Sequence, residues 1–206
     1  MSTRFSMTTQ PSASKRTTYT PDSLLEVAVA VFNERGYDGT SMEDLARAAG
    51  ITKSSIYHHV KGKEELLTRG VNRALDALNG ALDELEALPD AGELDRVEQA
   101  VFRAVQILVE ELPYVTLLLR VRGNTEAERA AQERRREIDQ RLAGFVERAA
   151  AAGALRTDLD PRLASRLVFG MVNSVVEWYR PGPGRWSQDD VASAVTHLVF
   201  DGLRRR

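Results

Sequence analysis

No cysteine occurs in the 206 residues. A disulfide framework, a thiolate nucleophile and a cysteine metal site are therefore excluded, and the absence fits a reducing, cytoplasmic setting. Long apolar runs are missing too. A stretch such as "VAVAVF", Val27 to Phe32, is far too short to cross a bilayer. The Ser/Thr-rich N-terminus has no apolar segment of the kind a secretory signal needs. Neither a Gly-x-Ser-x-Gly elbow nor a glycine-rich phosphate loop is present. Of the three histidines, none follows a glutamate at the third position before it, so the Glu-x-x-His pattern of di-iron bundles is absent. His58 and His59 are adjacent, about 100° apart around a helix, and cannot readily share a metal. The expectation is a cytoplasmic protein that is not an enzyme, with no metal, no cofactor and no membrane partner.

What is there is 43% hydrophobic and 28% charged residues with a net charge of −2, an ordinary globular balance. The cations are unevenly placed. All four lysines lie at or before Lys63, and Ile51 to Lys63 carries Lys53, Lys61 and Lys63 with no acid. Met1 to Pro21 carries Arg4, Lys15 and Arg16, again without an acid. Two local cationic segments in a near-neutral chain point to a polyanion as partner, because the local field matters more than the total.

Apolar spacing of 3–4 residues runs through nearly everything after Thr20, and no stretch alternates with period two. An all-α chain of about nine helices is expected. Residues 1–19 read as a flexible basic tail, 20–66 as a helix-turn-helix domain, and 67–206 as a ligand-binding and dimerisation domain. Thr20-Pro21 starts the first helix. Thr40, with Glu43 three residues on, is the expected capping box of the second. Thr52 caps the third, which runs to about Val60, and a long helix follows from Lys63.

The second and third helices make the chemistry specific. In "SMEDLARAAGITKSSIYHHV", Ala46 is small where two helices would cross, and Gly50 can take the left-handed turn between them. Ile56 plugs the angle. With Ile56 and Val60 facing inward, Lys53, Ser54, Tyr57 and His58 point elsewhere. Their donors suit phosphates, and Lys53, Ser54 and the histidine also suit base edges in a major groove. Lys63 and Thr40 stand at helix starts, where backbone N–H groups favour an anion.

From "AVAVFNERGYDGTSMEDLARAAGI" into "TKSSIYHHVKGKEELL", the chain resembles the DNA-binding domain of the TetR family of bacterial transcriptional regulators. The resemblance spans Thr20 to Leu67. It implies DNA contacts from Thr40, Lys53, Ser54, Tyr57, His58, His59 and Lys63, with Thr52 at the start of the same helix. Two positions depart from the pattern. Val60 stands where phenylalanine is usual, and Ser54 where glycine is common, so the operator sequence does not carry over from relatives.

The family resemblance also implies dimerisation and sensing by the remaining chain. A helix-turn-helix reading a palindrome in double-stranded DNA needs a two-fold partner. The stripes on the last two helices, with Leu167, Met171, Val175, Val195 and Leu198, are the expected homodimer seam. "TLLLRVRGN", the Arg-rich helix after it and "RLVFGMVNSVVEWYRPG" resemble the acyl-CoA-responsive branch of the family. That resemblance implies a small-molecule effector of acyl-CoA type. Leu117, Leu118, Met171 and Trp178 would hold its acyl part, and Arg120, Arg122 and one or more of Arg134, Arg135 and Arg136 its phosphates. The arginines also read as a solvated helix face, with Glu137 and Arg141 as an i, i+4 pair. A regulator sensing a hydrophobic drug or a free acid is a second reading. A helical binding protein or enzyme with a vestigial helix-turn-helix is a third.

Overall fold

The computed structural model describes residues 20–89 and 91–204. The expected basic tail at 1–19 lies outside them. The described residues form nine α-helices and no sheet: α1 Pro21–Arg35, α2 Met42–Ala49, α3 Lys53–Tyr57, α4 Lys63–Glu86, α5 Glu93–Glu110, α6 Leu112–Arg120, α7 Glu126–Ala151, α8 Pro161–Trp178 and α9 Gln188–Leu203. Their starts follow local chemistry. Thr20, Ser41, Thr125 and Ser187 each accept the backbone N–H three residues on, and the side chain found there returns a bond to the cap. Asp160 accepts from the N–H groups of Arg162 and Leu163.

The second helix is capped by Ser41 with Asp44, which corrects the expected Thr40 and Glu43 pair. Thr40 is only 2% exposed, and its hydroxyl donates 2.7 Å to the Gly36 carbonyl. It closes the loop after α1, which leaves the next hydroxyl to cap the helix.

A continuous apolar core runs from Leu24 in α1 to Phe200 in α9. α2 packs on α1 and on α3, and α1 packs on α4, which continues unbroken past Leu66 and Leu67 into the larger part. There it packs against α5, α6 and α7, and α5 packs against α8 and α9. α6 ties the two parts together. Asn33 Nδ2 donates 2.8 Å to the Pro113 carbonyl, Arg120 Nη1 donates 2.7 Å to the Asn33 carbonyl, and Asn124 Nδ2 donates 2.9 Å to Asp38. Arg73 on α4 clasps Glu111 at 2.6 and 3.0 Å and lies over the Tyr114 ring.

Candidate DNA-facing surface and effector cavity

The turn between α2 and α3 is built on Gly50, at φ 67° and ψ 26°, where only glycine sits without strain. Ile51 N–H closes back on the Ala46 carbonyl at 3.0 Å. Ile56 and Val60 are buried beneath α3, and Ala46 is buried where α2 and α3 meet. Lys53, Ser54, Tyr57 and His58 are consequently exposed together on the outer side, with His59 half-buried beside them. Thr52 acts as the cap of α3, accepting Ser55 N–H at 3.2 Å.

Two cations and one hydroxyl of the expected contact set differ from expectation. Lys53 is ion-paired with Glu43 of α2 across the outer surface. That contact lowers the Glu43 carboxyl and raises the Lys53 ammonium, each chiefly through the shared hydrogen bond. Lys63 donates to the Tyr37 carbonyl at 3.0 Å and the Thr40 carbonyl at 3.1 Å, over the Tyr37 ring. It pins the loop before α2, so two of its three donors are already used. Thr40 turns inward, as above, and presents no hydroxyl to a ligand. Lys61, which carries no ion pair among the described residues, is exposed on the same segment.

The expected ligand set does not converge on one place. Leu118 and Arg135 do line one apolar cavity of about 50 Å³, with Leu75, Leu108, Val115, Ile138, Leu142 and Val172. Leu117, Arg120 and Arg122 instead line a cleft of about 790 Å³ between α6 and the end of α1. Consecutive helical residues are about 100° apart, so neighbours on the thin α6 face opposite partners. Arg134 is a strap, donating 2.6 Å to Asn72 and 2.6 Å to Asp76 of α4. Arg141 likewise bonds Asn79, Asp83 and Glu86 rather than Glu137. Met171 and Trp178 lie exposed on the outside of α8, away from any cavity wall.

Sequence reasoning missed the polar side of α8. Arg162, Ser165, Arg166, Phe169, Gly170 and Asn173 face Arg136, Asp139, Gln140 and Glu147 of α7 across an open groove of about 580 Å³. Their spacing of three and four residues marks one helix face. The groove and the apolar cavity share Asp139, Phe169 and Asn173 as a common wall. Asp139 reaches solvent in the groove, yet packing on its other side raises its carboxyl, with Arg135 and Arg166 pulling it back.

A third feature is a stripe of exposed apolar side chains: Leu163, Leu167, Met171 and Trp178 on α8, and Leu198 on α9. Val175 and Val195, expected in the same seam, are 1% and 7% exposed and pack inside their own subunit. Trp178 stands edge-on to the exposed Trp186.

Two family models match the chain. Residues 24–69 match "Bacterial regulatory proteins, tetR family", and residues 90–203 match "Tetracyclin repressor-like, C-terminal domain". The HTH-type transcriptional repressor KstR2 of Rhodococcus jostii is 30% identical over 87% of this chain and 89% of its own length. SCO3833, a TetR-family regulator from Streptomyces coelicolor A3, has a crystal structure that is similar at a TM-score of 0.82 and 61% identity. The match covers 92% of this chain and 94% of that one. The ketosteroid transcriptional regulator KstR2 of Mycobacterium tuberculosis matches with a TM-score of 0.82 and 25% identity, over 90% and 95% of the two chains. With its helix-turn-helix and its larger helical part both matched, this chain belongs to the TetR family of DNA-binding transcriptional regulators.

Proposed function

We propose that the chain is a repressor that binds a palindromic operator as a homodimer and is released by an amphipathic effector of the acyl-CoA class. The observation that carries the effector reading is the shared wall. An arginine-bearing groove and an apolar cavity lie back to back, with Asp139, Phe169 and Asn173 lining both. A molecule with a phosphate-bearing head and an apolar tail fits that sequence of environments, since guanidiniums grip phosphate oxygens in pairs. Arg162, Arg166 and Arg136 are the head-group candidates, in place of Arg120 and Arg122. A ketosteroid, named for the KstR2 relative, is also a large apolar body, compatible with the tail end of the site.

Release follows from a lack of room. The apolar cavity holds about 50 Å³, space for one or two waters. A tail enters only by moving α4, α7 and α8 apart. α4 begins just after the recognition helix, and α6 is bonded to α1, so an expanded core repositions the DNA-reading surface. The effector thereby favours a spacing other than the roughly 34–36 Å that one DNA turn requires. Operator and effector weaken each other reciprocally, typically by about 1–3 kcal/mol. On the DNA side, Lys53, Ser54, Tyr57, His58 and Lys61 form the contact set. The exposed stripe of Leu163, Leu167, Met171, Trp178 and Leu198 meets the same stripe of a second copy.

Calorimetry and operator release with fatty, aromatic and steroid acids and their CoA thioesters test the effector class. Thioesters are expected to bind and to release DNA. Equal or better release by the free acids would refute the acyl-CoA assignment while leaving the repressor reading intact.

A further inference from the structure

Arg134 and Arg141 of α7 make the same contact with α4 twice. Arg134 Nη1 donates to Asn72 and Nη2 to Asp76, each at 2.6 Å. Seven residues on, Arg141 Nη1 donates to Asn79 at 3.0 Å and Nη2 to Asp83 at 2.7 Å. Glu86 adds a further contact at 2.9 Å. The acceptors repeat at the same spacing and in the same direction as the arginines, so the two helices run parallel in matched register. A guanidinium that spans two acceptors one turn apart fixes register as well as distance, which a single surface ion pair does not. The seam between α7 and α8 has nothing comparable. Its only ion pair among the described residues joins Glu147 to Arg162, whose side chain is 82% exposed. The open groove lies along the same seam.

We propose that these two arginine clamps make α7 and α4 one moving body, through which a molecule seated in the groove acts on the DNA-reading helices. The inference rests on the effector reading above and names the residues that carry its signal. Arg136, Gln140, Ala143 and Glu147 line the groove from the side of α7 roughly opposite Arg134 and Arg141. One helix therefore meets the groove with one face and grips α4 with the other. Ile138 and Leu142 of α7 line the apolar cavity together with Leu75 and Leu78 of α4. The helices around that cavity do not part equally. A tail entering it opens the seam that is held least, so α8 separates while α7 takes α4 with it. Movement of α4 reaches the recognition helix at once, because α4 starts at Lys63, just beyond α3. The start of α7 meets the DNA-reading part as well, where Ala127 N–H donates to Glu64 at 3.4 Å and Asn124 Nδ2 to Asp38 at 2.9 Å. A latch that held α4 still would behave in the opposite way. Breaking a latch weakens operator binding with no effector present, whereas breaking a gear leaves binding intact and removes release.

The test uses the full chain and DNA from upstream of its own gene. Fluorescence anisotropy measures the operator Kd with and without saturating octanoyl-CoA, benzoyl-CoA or choloyl-CoA, and calorimetry measures thioester binding. In wild type a releasing thioester should raise the operator Kd by a factor in the usual allosteric range, about 5–150-fold. Arg134→Met with Arg141→Met should bind operator and thioester as wild type does, while that factor falls to about twofold or less. Asp76→Ala with Asp83→Ala opens the clamps from the α4 side, at side chains 67% and 71% exposed, and should lower the same factor. These exposed positions decide the matter if unfolding temperatures show that the arginine pair has lost its fold. Arg148→Met is the control. Seven residues beyond Arg141, it loses a similar exposed pair, with Glu93 of α5, and should keep wild-type release. Full release from the folded clamp variants would overturn the proposal, and so would equal loss of release in Arg148→Met. Weakened operator binding by folded clamp variants without thioester would make the clamps a latch and also overturn it. If none of the three thioesters releases wild type, the effector reading itself fails, and this inference with it.

Discussion

Lys53 approaches DNA already paired with Glu43 on the neighbouring helix, so any contact it makes requires an exchange of partners. Exposed pairs of this kind contribute little, and a phosphate or guanine edge competes well. Glu43→Gln is therefore expected to strengthen DNA binding at low salt, and Lys53→Ala to weaken it by about 1–3 kcal/mol. Salt titrations by fluorescence anisotropy check both. A Glu43→Gln variant that binds more weakly than wild type would contradict the exchange. Thr40 gives a second expectation. Its hydroxyl is buried on the Gly36 carbonyl, so Thr40→Val should cost about 1–3 kcal/mol of folding stability. Denaturant unfolding reads that cost, and an unchanged midpoint would return Thr40 to the surface. At this scale the sequence identified the exposed face of α3 but not the partners. Residue type and local spacing reveal that Lys63 is cationic and near a helix start. They do not reveal that the loop carbonyls of Tyr37 and Thr40 converge on it.

Among the helices, α4 shows how one residue type serves two purposes. Gly70 lies where a Cβ would come 3.1 Å from both Leu117 of α6 and Val29 of α1, whereas Gly80 has nothing within 4 Å. Alanine in an open helix interior gains about 1 kcal/mol over glycine. Gly80→Ala should therefore raise the unfolding free energy by up to that amount. Gly70→Ala should not, because crowding at two buried side chains offsets the gain. A thermal melt of each variant decides, and equal stabilisation would mean that α1 and α6 do not pack this closely on α4. The helices themselves were legible, since hydroxyl and carboxylate caps, prolines and glycines mark their ends and a 3.6-residue period fills them. Their mutual orientation was less so. On α6, Leu117 and Leu118 look alike in sequence, yet one faces the junction with α1 and the other the apolar cavity. On α8, apolar counting ran the exposed stripe and the core together, placing the buried Val175 with the exposed Met171, and passed over the arginine-bearing face.

For the whole molecule, assembly and sensing have to be separable. Leu198 is 72% exposed in one subunit and Val195 is 7% exposed. Leu198→Asp should leave the subunit folded and halve the molar mass seen by light scattering, because a charge in an apolar seam is strongly unfavourable. Val195→Asp should unfold the chain. A Leu198→Asp protein that remains a dimer of unchanged stability would place the seam elsewhere. The proposed joint between DNA-reading surface and ligand cavity, through α4 and α6, is open to direct measurement. Footprinting on the DNA upstream of the chain's own gene, with and without the thioester that calorimetry shows to bind, examines it in one experiment. A two-fold symmetric protected site that disappears as the thioester is added is the predicted result. Protection no stronger than on scrambled DNA, or a footprint indifferent to saturating thioester, would contradict it.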